Sequence, residues 1–169
     1  MPQKFLTVVS GNFKEVEGLV TSAGAGDSGK LPALDAAGKL DTSVMPTGIG
    51  ADTKALTASE NLAAGDLVNV WNDTGTVKVR KADATSPSKR AHGFVLSSVS
   101  SAATATVYFE GTITGLSSLT LGATYFLGTT AGVATATATT TAGHIVQQVG
   151  VAVSATELSF EPQQPVELA

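Results

Sequence analysis

Short runs of alternating apolar and polar residues, separated by glycine and other turn formers, occur along most of the chain. Residues 5–9 (FLTVV) and 13–17 (FKEVE) flank Ser10-Gly11-Asn12 and predict a β-hairpin. Later runs have the same character: LVNVW, TVKVR, HGFVL, ATVYFEG, TYFL, GVATAT, HIVQQVGVAV and ELSFE. Their short connections favour antiparallel pairing over βαβ units. We therefore predict a mainly β fold, a compact antiparallel barrel or sandwich.

The alternating pattern is absent between the hairpin and about residue 53. Pro32 and Pro46 oppose regular structure there. Large apolar side chains nevertheless continue without a period: Leu31, Leu34, Leu40, Val44, Met45 and Ile49. We expect an extended N-terminal arm that lies against another surface, and a disordered linker is the alternative. The predicted division is residues 1–53 for hairpin and arm and residues 54–169 for the β domain.

The β domain contains an internal repeat. The motif L-x-x-G begins at Leu62 and again at Leu119, which lies 57 residues later. The same offset aligns GFVLS at 93–97 with GVAVS at 150–154, and a shortening by six residues then aligns VYFE with LSFE. Two similar β units are therefore predicted, at about 60–110 and 117–161.

Composition narrows the classes of function. Charged residues make up 14% of the chain, against about 25% in typical soluble domains, so the surface suits a protein covered by partners. The net charge is -4, and the basic residues are scattered apart from Arg80-Lys81 and Lys89-Arg90, which we interpret as solvated loop charges. We therefore expect no nucleic-acid partner. Cysteine is absent, which excludes disulfides and thiolate chemistry.

The hydropathy pattern also bears on location. The first apolar run is too short for the core of a signal peptide, and no stretch approaches the roughly 18 apolar residues of a membrane span. We expect a product made in the host cytoplasm, with no membrane partner.

The stretch GAGDSGKLP contains a phosphate-loop signature. Gly24, Gly29 and Lys30 have the spacing G-x-x-x-x-G-K. A phosphate loop needs Ser or Thr after the lysine and a helix that begins there, but Leu31 and Pro32 follow. We therefore predict no nucleotide or other cofactor site.

The same stretch resembles the start of the GDSGG motif of chymotrypsin-like proteases, with Ser28 as nucleophile. That family places its histidine and aspartate before the serine. No histidine precedes Ser28, and Lys30 replaces the last glycine. We predict that GAGDSGKLP is instead a hinge between the hairpin and the arm.

A third signature is Asp73-Thr74-Gly75, the DTG triplet of aspartic proteases. Those enzymes need two such loops, so that two carboxylates share a proton. The repeat places Thr130 opposite Asp73, which removes the second carboxylate from this chain. A hairpin turn explains the triplet without catalysis, although a homodimer could supply a second carboxylate.

The remaining reactive and aromatic residues form no convergent set. His92 and His144 are single, on predicted β segments, and have no carboxylate at ligand spacing, so we interpret both as structural or surface residues. Strand aromatics are assigned to the core or a subunit interface: Trp71, Tyr108, Phe109, Tyr125, Phe126 and Phe160. We assign no catalytic, cofactor-binding or metal-binding residue and expect no enzyme, such as a virion-associated hydrolase.

The segment GDSGKLPALDAAGKLDTSVMPTGIG resembles one found in structural proteins of tailed bacteriophages, where Gly-Lys-Leu-Pro-x-Leu-Asp precedes Gly-Lys-Leu-Asp-x-Ser-x-Met-Pro. The following domain, with L-x-x-G-D-x-V and QQVGVAVSATELSFEPQQPVEL, is similar to the β domains of phage head decoration, or capsid cement, proteins. Related segments also occur in head and tail fibres.

The resemblance implies a virion protein, a homotrimer, that binds the major capsid protein on the outer capsid surface and stabilises the shell. A head or tail fibre module that binds a host receptor is the alternative. We expect residues 1–50 to make most of the capsid contact or the intersubunit exchange, because an extended apolar segment covers a large area, and residues 54–169 to form the trimer core. The candidate partner-binding residues are Phe5, Phe13, Leu31, Leu34, Leu40, Val44, Met45 and Ile49.

Overall fold

The computed structural model describes residues 3–46 and 50–169 and is mainly β, as predicted. The chain divides into two compact units, residues 1–50 and 51–169. The first unit holds β1 (Lys4–Val9) and β2 (Asn12–Glu17). The second holds β3 (Thr53–Ala58), β4 (Leu67–Asp73), β5 (Thr76–Lys81), β6 (Gly93–Phe94), β7 (Thr104–Tyr108), β8 (Gly111–Ile113), β9 (Thr124–Leu127), β10 (Ala134–Thr135), β11 (Ile145–Val146), β12 (Gln148–Ala152), β13 (Leu158–Phe160) and β14 (Val166–Glu167).

Strands β1 and β2 form an antiparallel hairpin where the alternation predicts one. Val9 pairs with Asn12, which leaves Ser10 and Gly11 as a two-residue turn. Both turn residues have positive φ, 52° and 80°, the conformation that tight hairpin turns require. Ser10 has a side chain and therefore bears the larger steric cost there.

Residues 18–46 do not clearly show the predicted extended arm. Leu19 donates its backbone N–H to Leu31 and accepts one from Ala33, both at 2.8 Å, so the segment folds back on itself. Short 3-10 helices occupy Ala25–Asp27 and Thr42–Val44. Aspartates stabilise the bends because their carboxylates accept backbone N–H groups, as Asp35 does from residues 37 and 39. The prolines prevent strands here, but they permit turns.

Five strands of the second unit form a closed barrel in the order β3-β5-β4-β6-β7. Strand β3 closes it by pairing antiparallel with β7 and parallel with β5, through Thr57↔Lys78 and Ala58↔Val79. The sequence pattern did not predict β3 as a strand. Buried aliphatic side chains fill the interior: Ala58, Leu62, Val68, Val79, Val95, Ala105 and Val107.

A five-stranded sheet follows, in the order β10-β9-β12-β13-β8. Shifting the chain by the repeat offset places β3, β4, β5 and β6 on β8, β9, β10 and β12, and the shortened offset places β7 on β13. Followed around the closed barrel from β5, the order β5-β4-β6-β7-β3 corresponds to β10-β9-β12-β13-β8. The strand order is therefore the same in both halves. One register is also shared, because Val68↔Gly93 corresponds to Tyr125↔Gly150. The two halves are therefore similar β units, but each begins before its predicted bound, with β3 at Thr53–Ala58 and β8 at Gly111–Ile113.

Gly93 and Gly150 occupy equivalent positions of the repeat, and their surroundings explain why both are glycine. A Cβ added to Gly93 would lie 2.4 Å from the carbonyl oxygen of Tyr108, and one added to Gly150 would lie 1.9 Å from that of Ser159. Tyr108 and Ser159 are themselves equivalent by the shortened offset. The neighbouring strand thus approaches too closely for any side chain in both halves.

The second sheet stays open between its edge strands β8 and β10. A cleft of about 320 Å³ lies there, and a turn from the first half borders it. Gly65 in that turn faces Leu116 and Ile113, while Leu67 N–H donates to Gly132 O at 2.8 Å. The turn from the first half thus lines one side of the cleft, where β8 and β10 do not pair with each other.

A second core joins the barrel to this sheet. Phe94 of β6 stacks on Tyr108 with ring centroids 5.5 Å apart, and meets Phe160 of β13 edge-on at 5.3 Å. Strands β11 and β14 pair separately near the chain end. Buried members of this core are Leu67, Ala82, Ala84, Ala91, Phe94, Ile113, Tyr125, Leu127, Ile145, Val149, Ala152, Leu158 and Phe160.

Candidate functional site

The hairpin presents an apolar face to solvent. Phe13 is 83% exposed, Leu6 72% and Val8 61%. Val8 pairs directly with Phe13, and Leu6 lies two residues before Val8, so all three share one face. Phe5, the other predicted hairpin contact, pairs with Val16 on the opposite face and is half-buried. We call Leu6, Val8 and Phe13 the hairpin face.

Leu6 and Val8 were not among the predicted partner-binding residues. The prediction singled out the aromatic residues of the two runs, Phe5 and Phe13, but these point to opposite sides of the hairpin. The period-2 alternation was the signal that could have grouped Leu6 with Val8. The cross-strand register, which adds Phe13 to them, depends on the turn.

The predicted arm residues divide into two groups. Leu31, Leu34 and Leu40 each expose about half of their surface. Val44 and Met45 are half-buried and line a cavity of about 360 Å³ within the first unit. Ile49 lies outside the described residues.

The same cavity includes residues of the GAGDSGKLP stretch. Lys30 Nζ lies 2.6 Å from Asp27 Oδ1. The hydrogen bond from Lys30, followed by those from the Ala23 N–H and Ser22, holds the pKa of Asp27 below its usual value. The ionised carboxylate of Asp27 is therefore paired with Lys30, the lysine that a bound phosphate would need. The only helical turn is Ala25–Asp27, with three residues, among the described part of this stretch.

The DTG triplet lies at a hairpin turn. Asp73 pairs with Thr76, and the Thr74 and Gly75 between them have φ values of 51° and 92°. Gly75 donates its N–H to Asn72 Oδ1 at 2.8 Å, and Asp73 Oδ2 lies 2.7 Å from Lys78 Nζ. Each polar group of the triplet that the catalytic interpretation would use thus has a structural partner.

The two histidines precede short strands rather than lying within them. His144 Nδ1 is 3.1 Å from Thr139 Oγ1, at the rim of a bowl of about 600 Å³. Threonines line much of this bowl: Thr129, Thr130, Thr135, Thr137, Thr139, Thr140 and Thr141. His92 Nδ1 accepts the Val70 N–H at 3.0 Å. In residues 3–46 and 50–169, no three His, Asp or Glu side chains are grouped to hold a metal ion.

The basic pairs are not simply solvated loop charges. Arg80 and Lys81 lie in β5, where Lys81 Nζ is 3.1 Å from Asp66 Oδ2. Lys89 Nζ lies 2.9 Å from Asp83 Oδ2. Burial raises the pKa of Asp83, but hydrogen bonds from Thr85 and Lys89 outweigh it and leave that pKa below its usual value.

No protein-family model matches this sequence, and no curated protein matches it at a significant level. Among the residues that the structure describes, no helix has the length and apolar character needed to cross a bilayer. The assignment of function therefore depends on the residues and their geometry.

Proposed function

We propose that this protein is a decoration protein of a tailed-bacteriophage head, which binds the outer surface of the capsid and stabilises the shell. Its direct partner is the major capsid protein, and its location is the virion. The observation that carries the proposal is the hairpin face, an apolar surface whose three side chains are mostly exposed to solvent.

A hairpin of two strands is marginally stable in water when it stands alone. In β1 and β2 the exposed side chains include a phenylalanine and two aliphatic residues, whose contact with water is unfavourable. Binding to a capsid surface would bury these side chains and order the hairpin at the same time. The resemblance of residues 26–50 to phage structural proteins and the low fraction of charge support this role.

The direct test adds purified protein to undecorated phage capsids and measures binding by co-sedimentation and shell stability by heating. We expect saturable binding and a higher temperature of capsid disruption. Deletion of residues 1–50 should abolish binding, whereas Ser28→Ala and Lys30→Ala should leave it almost unchanged. Saturable binding by the deletion variant would contradict the assignment of the contact to the first unit.

A matched pair of variants tests the hairpin face itself. Val8→Asp places a charge on a side chain that is 61% exposed, and Val77→Asp does so at one that is 54% exposed. Both residues lie in strands beside a two-residue turn. Capsid affinity should fall at least about tenfold for Val8→Asp, equal to 1.4 kcal/mol, and remain within about twofold for Val77→Asp. Equal losses would show that the face has no specific role.

The proposal includes a homotrimer. Light scattering coupled to size exclusion should give three times the chain mass of 16.9 kDa. A monomer at micromolar concentration would overturn the trimer but leave capsid binding to be judged by the sedimentation experiment.

A fibre module that binds a host receptor is the second candidate function, and the threonine-lined bowl favours it. Its hydroxyl groups can both donate and accept hydrogen bonds, which suits a neutral saccharide. Thr137→Val with Thr140→Val should weaken attachment to host cells if this role is correct. If this double variant attaches to host cells as well as the parent does, and the parent binds capsids, the fibre role is excluded.

A further inference from the structure

The chain has two arginines, Arg80 and Arg90. In the described ranges, neither has a carboxylate within 4.0 Å. The lysines that do have such partners are Lys4, Lys30, Lys78, Lys81 and Lys89. A chain with net charge -4 thus leaves both arginines without an acidic partner in the structure described.

Arg80 is nevertheless held by neutral groups. Its guanidinium lies 4.6 Å from the centroid of the Trp71 ring, and its Nε donates to Asn69 Oδ1 at 3.0 Å. Its Nη2 donates to Ser88 O at 2.9 Å. The role of Arg80 is therefore structural, through cation–π stacking and two hydrogen bonds.

Arg90 has a different environment. Its Nε–H donates to His92 Nε2 at 2.9 Å, and within the described residues its Nη atoms make no hydrogen bond. On the other side of the ring, His92 Nδ1 accepts the Val70 N–H, which the strand β4 fixes in place. Asn69 Nδ2, another donor, lies 3.4 Å from the same Nδ1.

A neutral imidazole can accept a hydrogen bond at only one ring nitrogen. Because Nδ1 accepts the N–H of Val70, a residue of strand β4, the proton belongs on Nε2. The Nε2–H of His92 and the Nε–H of Arg90 then point at each other, although both are donors. Such a pair is unfavourable alone, and an acceptor that takes both hydrogen bonds relieves it.

Arg90 and His92 line a pocket of about 190 Å³, which Pro162, Gln163 and Pro165 also border. Gln147 also lines the pocket, but its side-chain amide donates to Ala91 O and accepts from Ala91 N. Burial of His92, followed by the nearby positive charge of Arg90, lowers its pKa and favours the neutral ring. The pocket thus offers one cation and one neutral donor.

We propose that Arg90 and His92 form a binding site for a carboxylate. A carboxylate has two acceptor oxygens side by side, so one group can accept from the arginine fork and from His92 Nε2 together. The pocket volume admits the carboxylate with a short aliphatic stem. The ligand is an acidic side chain or a chain terminus of a polypeptide, and the site is independent of the proposed capsid contact in residues 1–50.

The test uses the full-length protein labelled with nitrogen-15, titrated with acetate at constant ionic strength. The imidazole nitrogens of free His92 should show the Nε2–H tautomer, and acetate should shift them saturably while His144 stays unchanged. An acceptor Nε2 in the free protein, or shifts that do not saturate, would overturn the site. These measurements need no variant and hence no assumption about folding.

Two variants sharpen the test. Arg90→Gln should weaken acetate binding at least about tenfold, since a hydrogen bond to a charged group is lost. Arg80→Gln, at the other arginine, should bind acetate within about twofold of the parent. Equal acetate affinity for Arg90→Gln and the parent would contradict the proposal.

A comparison of ligands identifies the source of the carboxylate. N-acetylglutamate α-amide carries only a side-chain carboxylate, and N-acetylglycine carries only a terminal one, so their relative affinities separate an acidic side chain from a chain end. Inorganic phosphate that displaces acetate with equal affinity would show a general anion site and overturn selection of carboxylates.

Discussion

The closed barrel and the open sheet have the same strand order but different edges. In the barrel β3 and β5 have six residues each and pair with one another. Their equivalents β8 and β10 have three and two residues and leave a cleft between them. The comparison teaches that the repeated glycines and aliphatic residues determine strand order, while the length of the edge strands determines closure.

The largest expected loss of stability comes from removing a side chain of the core that the two halves share. Phe94→Ala should destabilise the protein by about 4 kcal/mol, because it removes a buried ring that contacts both Tyr108 and Phe160. Chemical denaturation followed by Trp71 fluorescence and far-UV circular dichroism measures this loss. Phe94→Leu retains much of the apolar volume and should lose less. Two separate transitions in the parent protein would show that the halves fold independently.

The repeated glycines come next. Gly150→Ala should cost about 3 kcal/mol or more, and Gly93→Ala somewhat less, since the added Cβ would lie 1.9 Å and 2.4 Å from a carbonyl oxygen, respectively. Equilibrium unfolding in urea gives both values. Gly26→Ala is the control, because no atom lies within 4 Å of its added Cβ. Losses below about 0.5 kcal/mol at Gly93 and Gly150 would contradict the close-approach explanation.

A buried amide joins the first half to the second. Gln147 is 2% exposed and exchanges two hydrogen bonds with the Ala91 backbone, at 2.8 Å and 2.9 Å. Gln147→Leu should destabilise by about 2 kcal/mol, because the Ala91 N–H and C=O lose their partner. Thermal unfolding compares it with Gln164→Leu at an exposed position. Similar melting temperatures for the two variants would show that this link is weak.

The smallest expected effect concerns an ion pair of the first half whose aspartate has no equivalent in the second half. Asp83 pairs with Lys89, whereas the equivalent position in the second half is Thr140. Because the folded pKa of Asp83 is lowered, its stabilisation is present above the unfolded pKa and disappears as the pH falls through the folded value. Between pH 6 and about pH 3, Asp83→Asn should lose less stability than the parent, by under about 1.4 kcal/mol. Parallel stability profiles would contradict this.

Local sequence patterns predicted much of this fold. The turns at Gly11 and Gly75, the strands beside them and the repeat offset are present in the structure. These features depend on neighbouring residues and on glycines that adopt positive φ. HGFVL and GVATAT, by contrast, contain only two strand residues each, because partner strands elsewhere set how much of a run is paired.

Strand β3 and the barrel closure could not be obtained from the same patterns. The parallel pairing of Thr57 with Lys78 depends on where β3 meets β5 after a turn, and no period in the sequence records that. The sequence could not predict the cleft either, because Ala64, Gly65 and Asp66, which line it, belong to the first half. Long-range contacts of this kind leave no local pattern in the sequence.

For the candidate sites, the sequence indicated residues but not their orientation. Phe5 and Phe13 were both predicted to bind a partner, but the strand register places them on opposite faces of the hairpin. Arg90 was interpreted together with Lys89 as a solvated loop charge, and His92 as a single structural or surface histidine, so the sequence did not group Arg90 with His92. Their relation depends on the Val70 N–H, which fixes the tautomer of His92, and that contact spans 22 residues.

The closing role of β3 has a consequence for synthesis on the ribosome. All five barrel strands lie between residues 53 and 108, so every strand that the barrel needs is translated before the strands of the second sheet. The second sheet, however, needs β13 at residues 158–160 to join β8 to β12. The barrel can therefore form first and offer Phe94 and Tyr108 as a ready surface onto which the later strands condense as they emerge.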